Sequence, residues 1–415
     1  MTRYAVIVDP ISTGREYPLA FREAGCRPVA VLSMPAVAEQ PTWHAERFDR
    51  IHRFDGDLEG LAAQVQAYEP EYLVPGAESG VELTDALVEI VAPGSGNRRE
   101  LTAARRDKWA MARALARAGV PHLRQLCTGD PEQVAAWLHE TGLDSAPLVL
   151  KPPRSGGADH IHLVPAGADW RPAFDAILGM ENLFIEINET VLVSEYAEGT
   201  ELLVDTYSVD GRHGLVNVCR YTKRQFSDRI GIYDCVEFLA PDDPAVQAVW
   251  PYARQVLDAV GIRNGASHTE VMLTPHGPRL IEIGARPAGG EHQLCSELAT
   301  GDNQIKRTVA HRERGEFKPG YELVKHLRLV VVSAPRAGVW HNAEIFDGVE
   351  SLSSYYAKHV SYHTGDHVPA TRDIVSYLAW FILTSDDPGA VEADHRQIKR
   401  WEALLDIRPV HQRVY

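Results

Sequence analysis

Residues 268–286 read HTEVMLTPHGPRLIEIGAR. Two runs rich in apolar residues flank the turn-forming sequence PHG at 275–277, so the pattern predicts two strands joined by a short turn. Antiparallel pairing of these strands would bring Glu270 and Glu282 side by side on one face. Two adjacent carboxylates repel each other unless a cation lies between them, and hard oxygen ligands of this kind suit Mg²⁺. The stretch therefore predicts a metal-binding hairpin, with two exposed glutamates on an ordinary hairpin as the alternative.

Basic residues that could bind phosphate add a second signal. Arg286 lies four residues after Glu282, where a guanidinium could stabilise charge on a transferring phosphoryl group or on a carboxylate. Lys151 ends an apolar strand and opens the turn PPRSGG at 152–157, and a lysine beside backbone N–H groups can bind phosphate as a point charge. A solvated lysine at a strand end is the alternative. Lys108, at the start of a predicted helix, is a weaker signal of the same kind.

A third pattern lies at residues 193–201, which read VSEYAEGTE. The pattern predicts a strand, a kink and a second strand. Exposed backbone at the kink could pair with the edge of a purine, and a carboxylate there could bind ribose hydroxyls. An acidic turn without a ligand is the alternative.

The overall charge excludes several classes of partner. The 415 residues include 42 Lys and Arg against 57 Asp and Glu, which gives a formal net charge of −15. General affinity for nucleic acid needs clustered basic residues, and so does adhesion to an anionic membrane surface.

The five cysteines form no C-x-x-C pair, and no apolar run reaches the ~20 residues of a membrane helix. We expect a cytoplasmic, soluble, reduced protein that binds neither nucleic acid nor membrane.

Taken together and in this order, the motifs resemble the ATP-grasp superfamily. The stretches NGASHTE at 264–270 and LIEIGARPAGG at 280–290 look like those of the bacterial L-amino-acid ligases, which make dipeptides or related amides. The resemblance covers nearly the whole chain and is loosest over residues 1–90. One departure is Gly284, because many ATP-grasp enzymes have an asparagine, a further metal ligand, two residues after the second glutamate. Amino-acid ligases often lack that asparagine.

The resemblance implies an α/β protein with the ATP-grasp fold, whose ATP-binding part is α+β. Strands that alternate with helices predict a parallel α/β domain at residues 1–95. A central subdomain with a mobile glycine loop would follow at 96–190, and a lobe with the Mg²⁺ and ATP site at 191–320. A C-terminal extension packed on that lobe would occupy 321–415.

The same resemblance implies a set of residues that bind ATP. Two lysines would bind the phosphates, a glycine loop would cover them, a hinge would contact adenine largely through its backbone, and a glutamate would hold the ribose. In that order these are Lys108 and Lys151; Ser155, Gly156 and Gly157; Glu195, Tyr196 and Ala197; and Glu201. Glu270 and Glu282 would bind Mg²⁺, or Mn²⁺ in its place. Arg286 and Lys151 would act in catalysis.

Amino-acid substrates carry an ammonium group that carboxylates can bind. The resemblance points to a loop at 231–238, GIYDCVEF, in which Asp234 and Glu237 would meet an α-ammonium or a basic side chain. A solvated acidic loop is the alternative. Gly289 and Gly290 would leave room for a larger acceptor, or would only permit a tight turn.

Three further residues complete the expected substrate set. Glu78 and Ser79, in the sequence PGAESG, would reach the cleft from the first domain, and His268 lies two residues before Glu270. Arg286 would also contact the substrate and the intermediate.

The implied activity joins two amino acids through an acyl phosphate and releases ADP and phosphate. A γ-glutamyl or other amino-acid–amine ligase on the same fold is the alternative, and a nucleotide-binding regulatory protein is the alternative from another class. The partners are small amino-acid molecules, and a homodimer is left open.

Overall fold

The computed structural model describes residues 2–157, 159–226, 229–372 and 376–409. Two stretches of the predicted C-terminal domain, 373–375 and 410–415, lie outside these described residues. Of residues 225, 226, 229 and 230 only the backbone is described.

The chain divides into two compact units. Unit 1 comprises Met1–Leu123, Leu202–Val218 and Ala240–Glu322. Unit 2 comprises Arg124–Glu201, Cys219–Leu239 and Leu323–Tyr415. The domain boundaries expected from the sequence stay a prediction.

The described residues form strands and helices in the following order. The strands are β1 (Arg3–Val8), β2 (Cys26–Leu32), β3 (Arg50–Arg53), β4 (Tyr72–Pro75), β5 (Gln125–Thr128), β6 (Leu148–Lys151), β7 (His162–Val164), β8 (Val191–Glu195), β9 (Thr200–Val209), β10 (Arg212–Phe226), β11 (Arg229–Phe238), β12 (Gly265–Thr274), β13 (Gly277–Gly284), β14 (His326–Val332), β15 (Gly338–Trp340), β16 (Tyr355–Val360), β17 (His367–Val368), β18 (Ala379–Ser385) and β19 (Ile407–Arg408). The helices are α1 (Tyr17–Glu23), α2 (Leu58–Gln66), α3 (Val81–Val91), α4 (Lys108–Arg117), α5 (Pro131–Thr141), α6 (Arg171–Asp175), α7 (Pro244–Ala259), α8 (His292–Thr300), α9 (Gln304–Arg314) and α10 (Pro388–Glu402).

Unit 1 begins with a parallel sheet of order β3-β2-β1-β4. The apolar run 5–8 is fully buried because helices cover parallel strands on both faces. The predicted parallel α/β arrangement is therefore confirmed. The loop after β4 packs closely on the end of β1, since a Cβ on Gly76 would lie 2.6 Å from the carbonyl oxygen of Asp9.

A second sheet of unit 1 has the order β13-β12-β9-β10, and strands β9 and β10 contribute residues to both units. The predicted hairpin is confirmed as β12 and β13, which pair antiparallel. Helix α7 supports the hairpin: its Tyr252 hydroxyl accepts a 2.7 Å hydrogen bond from the backbone N–H of Leu280.

Unit 2 contains an antiparallel sheet of order β5-β8-β6-β7. It also contains the run β10-β11-β14-β18-β16 and a small sheet of order β17-β15-β19. Helix α10 packs on this run through Val391 and Ile398, which join Trp340, Phe381 and other buried side chains in one core. Among the described residues of the chain, no helix is long and apolar enough to cross a membrane.

One local expectation is wrong. Residues 231–238, expected to form a loop, lie in strand β11. The reason is burial of the apolar side chains of this stretch, since Cys235, Val236 and Phe238 are each 3% exposed. Strand pairing satisfies the backbone of such a buried segment, whereas a loop would not.

Candidate active site

The central feature of unit 1 is the pair of glutamates on the hairpin. Glu270 lies directly opposite Glu282, and His268 lies directly opposite Gly284. The register shifts immediately after Glu270, because Val271 pairs with Leu280 and leaves Ile281 as an extra residue. Such bulges re-aim side chains and are frequent beside active sites. The side-by-side placement expected from the sequence is therefore present.

Cationic groups flank both carboxylates. The Nζ atom of Lys108 lies 3.0 Å from Oε2 of Glu282. Lys108 is the first residue of α4, whose start is fixed by the Asp107 carboxylate, which accepts a 2.8 Å bond from the N–H of Ala110. On the other side, His268 Nε2 lies 3.8 Å from Oε1 of Glu270.

The orientation of His268 is fixed by a buried carboxylate. Its Nδ1 lies 2.9 Å from Oδ1 of Asp205, a fully buried residue of β9. Burial would lower the pKa of His268, but its hydrogen bond to Asp205 and the nearby carboxylate of Glu270 raise it to about 9. The imidazole is therefore charged at neutral pH and can orient Glu270.

The donor set of the hairpin fits a hard divalent cation. Two carboxylates placed directly opposite each other are destabilising without positive charge between them. Carboxylate oxygens are the ligands that Mg²⁺ prefers, and Mg²⁺ is commonly bound through one or two of them. Side-chain exposures of 14% for Glu270 and 27% for Glu282 leave both accessible to an ion.

Arg286, just beyond the hairpin, is paired with Glu78. Its Nε donates a 2.9 Å hydrogen bond to Oε2 of Glu78, while Oε1 accepts a 3.1 Å bond from Nη1 of Arg106. Burial alone would raise the pKa of Glu78, but Arg286 and Arg106 hold it below its usual value. The sequence placed Glu78 among substrate contacts, whereas here two arginines bind its carboxylate.

The structure gives the other predicted substrate residues of unit 1, which are Ser79, Gly289 and Gly290, local structural surroundings. The hydroxyl of Ser79 donates a 2.6 Å bond to the buried carboxylate of Asp9. Gly290 has a φ of +62°, which favours the tight-turn interpretation of this position. At Gly289 an added Cβ would meet its nearest neighbour, Ser12 Oγ, at 3.7 Å, an ordinary contact, so lack of space does not require glycine there.

A second group in unit 1 has the spacing of metal ligands. Ligand atoms of Cys26, Glu71 and Glu313 lie within 4.8 Å of one another. Arg3 already supplies the positive charge there, since its guanidinium donates to Glu71 at 2.6 and 2.7 Å and also to Glu313. This group is accounted for by an arginine-centred ion pair.

Unit 2 carries the predicted glycine loop. Lys151 ends β6 and is 6% exposed. The hydroxyl of Ser155 donates a 2.7 Å bond to Asp159, and Gly157 adopts a φ of +64° that glycine accepts without strain. Gly156 lies between them, where an added Cβ would touch the ring of Phe184 at 3.7 Å.

The predicted hinge follows β8 in the same unit. The Glu195 side chain accepts bonds of 2.9 and 2.6 Å from the backbone N–H and Nε of Arg124. Tyr196 is 42% exposed, and its N–H donates to the carbonyl oxygen of Pro147 at 3.1 Å. Ala197 is 9% exposed.

Glu201, the second residue of β9, forms an ion pair with a lysine of the same unit. Its carboxylate accepts a 2.6 Å bond from Nζ of Lys223. That Nζ also lies 4.7 Å from the centroid of the Tyr233 ring, a cation–π contact. Any ribose bound by Glu201 would share the carboxylate with this lysine.

Asp234 and Glu237 form ion pairs within unit 2. Asp234 contacts Arg224, and its Oδ1 accepts a 2.7 Å bond from Nζ of Lys399. Glu237 accepts bonds of 2.7 Å from Arg220 and 2.9 Å from Arg328. These acids on β11 are neutralised by basic residues of the same unit.

Several residues of these sites had no signal in the sequence. Arg106, Lys223 and Lys399 stand in ordinary charged stretches, and nothing in their spacing indicates the carboxylates that they bind. Asp205 follows the kinked stretch, yet only the order of the strands brings it beside His268.

Known proteins are similar to this chain in sequence and in fold. A model of the ATP-grasp domain matches residues 144–295. Dapdiamide A synthase of Enterobacter agglomerans is 31% identical over 414 residues, which cover 96% of this chain and 95% of that protein. The chain belongs to the ATP-grasp family. The L-arginine-specific L-amino acid ligase of Bacillus subtilis is 25% identical over 44% of each chain.

This ATP-grasp protein also has the fold of a solved relative. The crystal structure of the L-amino acid ligase from Bacillus licheniformis aligns with a TM-score of 0.71 at 17% identity, and covers 99% of this chain and 100% of that chain. The predicted ATP-grasp fold is therefore confirmed. The chain is an ATP-binding enzyme, a ligase of the amino-acid ligase type, and the non-enzyme alternative does not apply. Its substrates are small molecules.

Proposed function

We propose that this ligase joins two amino acids into a dipeptide, or a closely related amide, through an acyl phosphate. The observation that carries the proposal is the face of the hairpin in unit 1, where Glu270 and Glu282 lie opposite each other beside Lys108. Arg286 lies two residues after the end of β13. This combination of two carboxylates and two cations suits a metal-assisted phosphoryl transfer.

Glu270 and Glu282 hold Mg²⁺ in this proposal, with Mn²⁺ as the alternative ion. An ion held by these carboxylates would neutralise charge on the phosphate oxygens. His268 orients Glu270 through the ion pair with Asp205, and Lys108 binds a phosphate oxygen when Glu282 is engaged by the ion. Each of these groups acts by position and charge.

The chemistry has two steps. An oxygen of the donor carboxylate attacks the γ-phosphorus of ATP, the bond to the β-phosphate oxygen breaks, and ADP leaves. The acceptor amine then attacks the acyl carbon, phosphate leaves, and the nitrogen loses a proton. Arg286 stabilises the charge on the phosphoryl group and on the tetrahedral intermediate, as donors of this kind do in acyl transfer.

Residues of unit 2 bind the nucleotide in this proposal. Lys151 contacts the phosphates, and the loop of Ser155, Gly156 and Gly157 covers them and excludes water from the acyl phosphate. The backbone of Glu195, Tyr196 and Ala197 contacts adenine, and Glu201 holds the ribose. Buried Lys151 and the positive φ of Gly157 support a loop shaped for phosphate.

The relatives support amino acids as substrates. One is named dapdiamide A synthase and another L-arginine-specific L-amino acid ligase. A γ-glutamyl ligase remains the second candidate, because the same two steps apply to a side-chain carboxylate. Gly289 and Gly290 would border the acceptor. Asp234 and Glu237 remain predicted contacts for an ammonium group, although basic residues bind both. A homodimer also stays a prediction.

The experiment is an ADP-release screen with the standard amino acids, singly and in all pairs, followed by mass spectrometry of the products. We expect ADP release with selected pairs and a product whose mass is that of the two amino acids less water. Fragmentation of a glutamate-containing product separates α- from γ-linkage. If every single amino acid and every pair leaves ATP intact, the dipeptide proposal fails.

An isotope experiment tests the intermediate. A donor amino acid labelled with oxygen-18 in its carboxylate should transfer one labelled oxygen to the released phosphate. Phosphate without the label would exclude the acyl phosphate even if the dipeptide is formed.

A further inference from the structure

The backbone conformation of Gly284 does not explain why this residue is a glycine. Its φ lies outside the left-handed region, so any residue could adopt this conformation. An added Cβ, however, would lie 2.6 Å from Oε2 of Glu78 and 3.4 Å from Nε of Arg286. A side chain at 284 would therefore collide with the ion pair of these two residues.

We propose that Glu78 is a positioning residue that fixes the guanidinium of Arg286, and that Gly284 makes room for its carboxylate. This inference rests on the proposed function, because Arg286 is the group that contacts the phosphoryl oxygens there. It assigns Glu78 a role other than the substrate contact expected from the sequence.

The geometry of Arg286 supports this role. Nε of Arg286 donates to Glu78, and Nη1 donates a 3.0 Å bond to the carbonyl oxygen of Pro287. Among the described residues, Nη2 of Arg286 makes no hydrogen bond. Two nitrogens thus fix the plane of the guanidinium, and the third remains for an oxyanion.

The carboxylate of Glu78 is itself immobilised. Oε1 accepts from Arg106, whose side chain is 4% exposed. The turn Glu78–Gly80 packs against the end of β1, since a Cβ on Gly80 would lie 2.7 Å from the carbonyl oxygen of Val8. A fixed carboxylate of this kind loses little entropy when it orients another group.

The charges of the trio favour an anionic ligand. Glu78 provides one negative charge against the two positive charges of Arg106 and Arg286, so the cluster retains one net positive charge. Glu78 therefore orients Arg286 without cancelling its attraction for phosphate.

The test begins with Glu78→Gln and Gly284→Ala, measured with the amino-acid pair that the wild type ligates best. We expect each to lower kcat about 10- to 100-fold, because a misplacement of about 1 Å costs that much. The KM values for both amino acids should change less than about twofold, and a cooperative melting transition should show that both variants are folded. Gly320→Ala and Glu59→Gln are matched controls, because an added Cβ at Gly320 meets nothing within 4 Å and Glu59 is exposed on α2.

A double variant tests the collision directly. Glu78→Asp withdraws the carboxylate by one methylene and leaves space for a methyl group at 284. We therefore expect Glu78→Asp combined with Gly284→Ala to be more active than the product of the two single effects predicts. Strict additivity, or wild-type activity of Gly284→Ala, would contradict the role of Gly284.

Two outcomes separate this inference from the proposed function. A rise in one amino-acid KM with unchanged kcat in Glu78→Gln would identify an ammonium contact and overturn the positioning role. Crystal structures of wild type and Glu78→Gln do not depend on activity: the guanidinium of Arg286 should move in the variant, and an unmoved guanidinium would overturn the inference. If the wild type ligates no amino acids, the proposed function fails while the structural comparison still decides the role of Glu78.

Discussion

Two pairs of acidic residues in this enzyme lie beside bulges in β-strands, and their surroundings differ. Glu270 and Glu282 lie opposite each other on the hairpin of unit 1, with Lys108 3.0 Å from Glu282 and His268 3.8 Å from Glu270. In unit 2, Asp234 is the extra residue of the bulge between β10 and β11.

The acids of unit 2 are each bound by two basic groups. Lys399 and Arg224 contact Asp234, and Arg220 and Arg328 contact Glu237 within 3.0 Å. Residues three apart on a regular strand face opposite sides, but the bulge turns Asp234 towards the face of Glu237, where α10 packs. The comparison shows that acidic pairs which look equivalent in sequence differ in the cations that the fold brings to them. We expect the pair in unit 1 to serve chemistry, and we expect the ion pairs of the acids in unit 2 to contribute to stability.

The largest effect should come from Glu282→Ala. Loss of a carboxylate that holds the metal should reduce ADP formation at least about 1,000-fold, because phosphoryl transfer depends on charge neutralisation. The melting temperature should stay near that of wild type, since the side chain is 27% exposed. Glu59→Ala, on an exposed face of α2, is the control. Wild-type turnover by Glu282→Ala would refute the metal assignment and with it the contrast between the two pairs.

His268→Gln should have the next largest effect. The change removes the charged imidazole between Asp205 and Glu270, so Glu270 loses its orientation. Removal of such supporting groups typically costs 10- to 100-fold in metal affinity or activity. Titration of activity with Mg²⁺ should show a rise of that size in the concentration needed for half-maximal rate. If instead the KM of an amino acid rises and the Mg²⁺ dependence is unchanged, His268 contacts substrate, as the sequence suggested.

Lys399→Ala should act mainly on stability. Its Nζ donates to Asp234, to the carbonyl oxygen of Val331 at 2.8 Å and to Glu402 at 3.1 Å. The variant therefore leaves a buried carboxylate, that of Glu402, and a half-buried one, that of Asp234, each short of a partner. We expect a loss of about 2 kcal/mol, as for other carboxylates left without a partner, which corresponds to about 2 °C in melting temperature for a chain of 415 residues. Lys399→Met keeps the length of the side chain and should be equally destabilised if charge is responsible. If the melting temperature is unchanged and the KM of an amino acid rises, the result would support Asp234 as a substrate contact.

The sequence predicted the local parts of this structure and missed the contacts between distant parts. The hairpin of β12 and β13 followed from apolar runs around a Pro-His-Gly turn, and the parallel sheet followed from alternating strands and helices. Residues 231–238 were expected to form a loop because the family resemblance implied one there, and only the contacts with β14 and α10 explain why they are a strand. Likewise Gly284 looked like a missing ligand, and only the approach of Glu78, which is 206 residues earlier, explains it.

The smallest effect should be a pH dependence of stability that arises in unit 2. His395 on α10 faces Arg328 on β14, Asp234 on β11, and Glu392 and Lys399 on its own helix. Its Nδ1 accepts a 2.8 Å bond from Nη1 of Arg328, which requires an unprotonated nitrogen. Burial first, then Arg328 and Lys399, lower the pKa of His395 from 6.5 to about 4.

The sign of this effect follows from proton binding. Between pH 6.5 and 4 the unfolded chain binds more protons than the folded protein at this site, so stability falls as the pH falls through that range. We expect the melting temperature of wild type to decline more steeply from pH 7 to 5, by about 1 °C, than that of His395→Gln, whose amide oxygen can still accept from Arg328. Carboxyl groups that titrate in this range, such as Glu16 with a pKa that burial raises to about 7, are present in both proteins and do not affect the difference between the two slopes. Equal slopes would contradict this prediction, because they would mean that His395 takes up a proton in the folded protein as readily as in the unfolded chain. A protonated Nδ1 cannot accept from Arg328, which would then keep Glu237 and Glu392 as its partners.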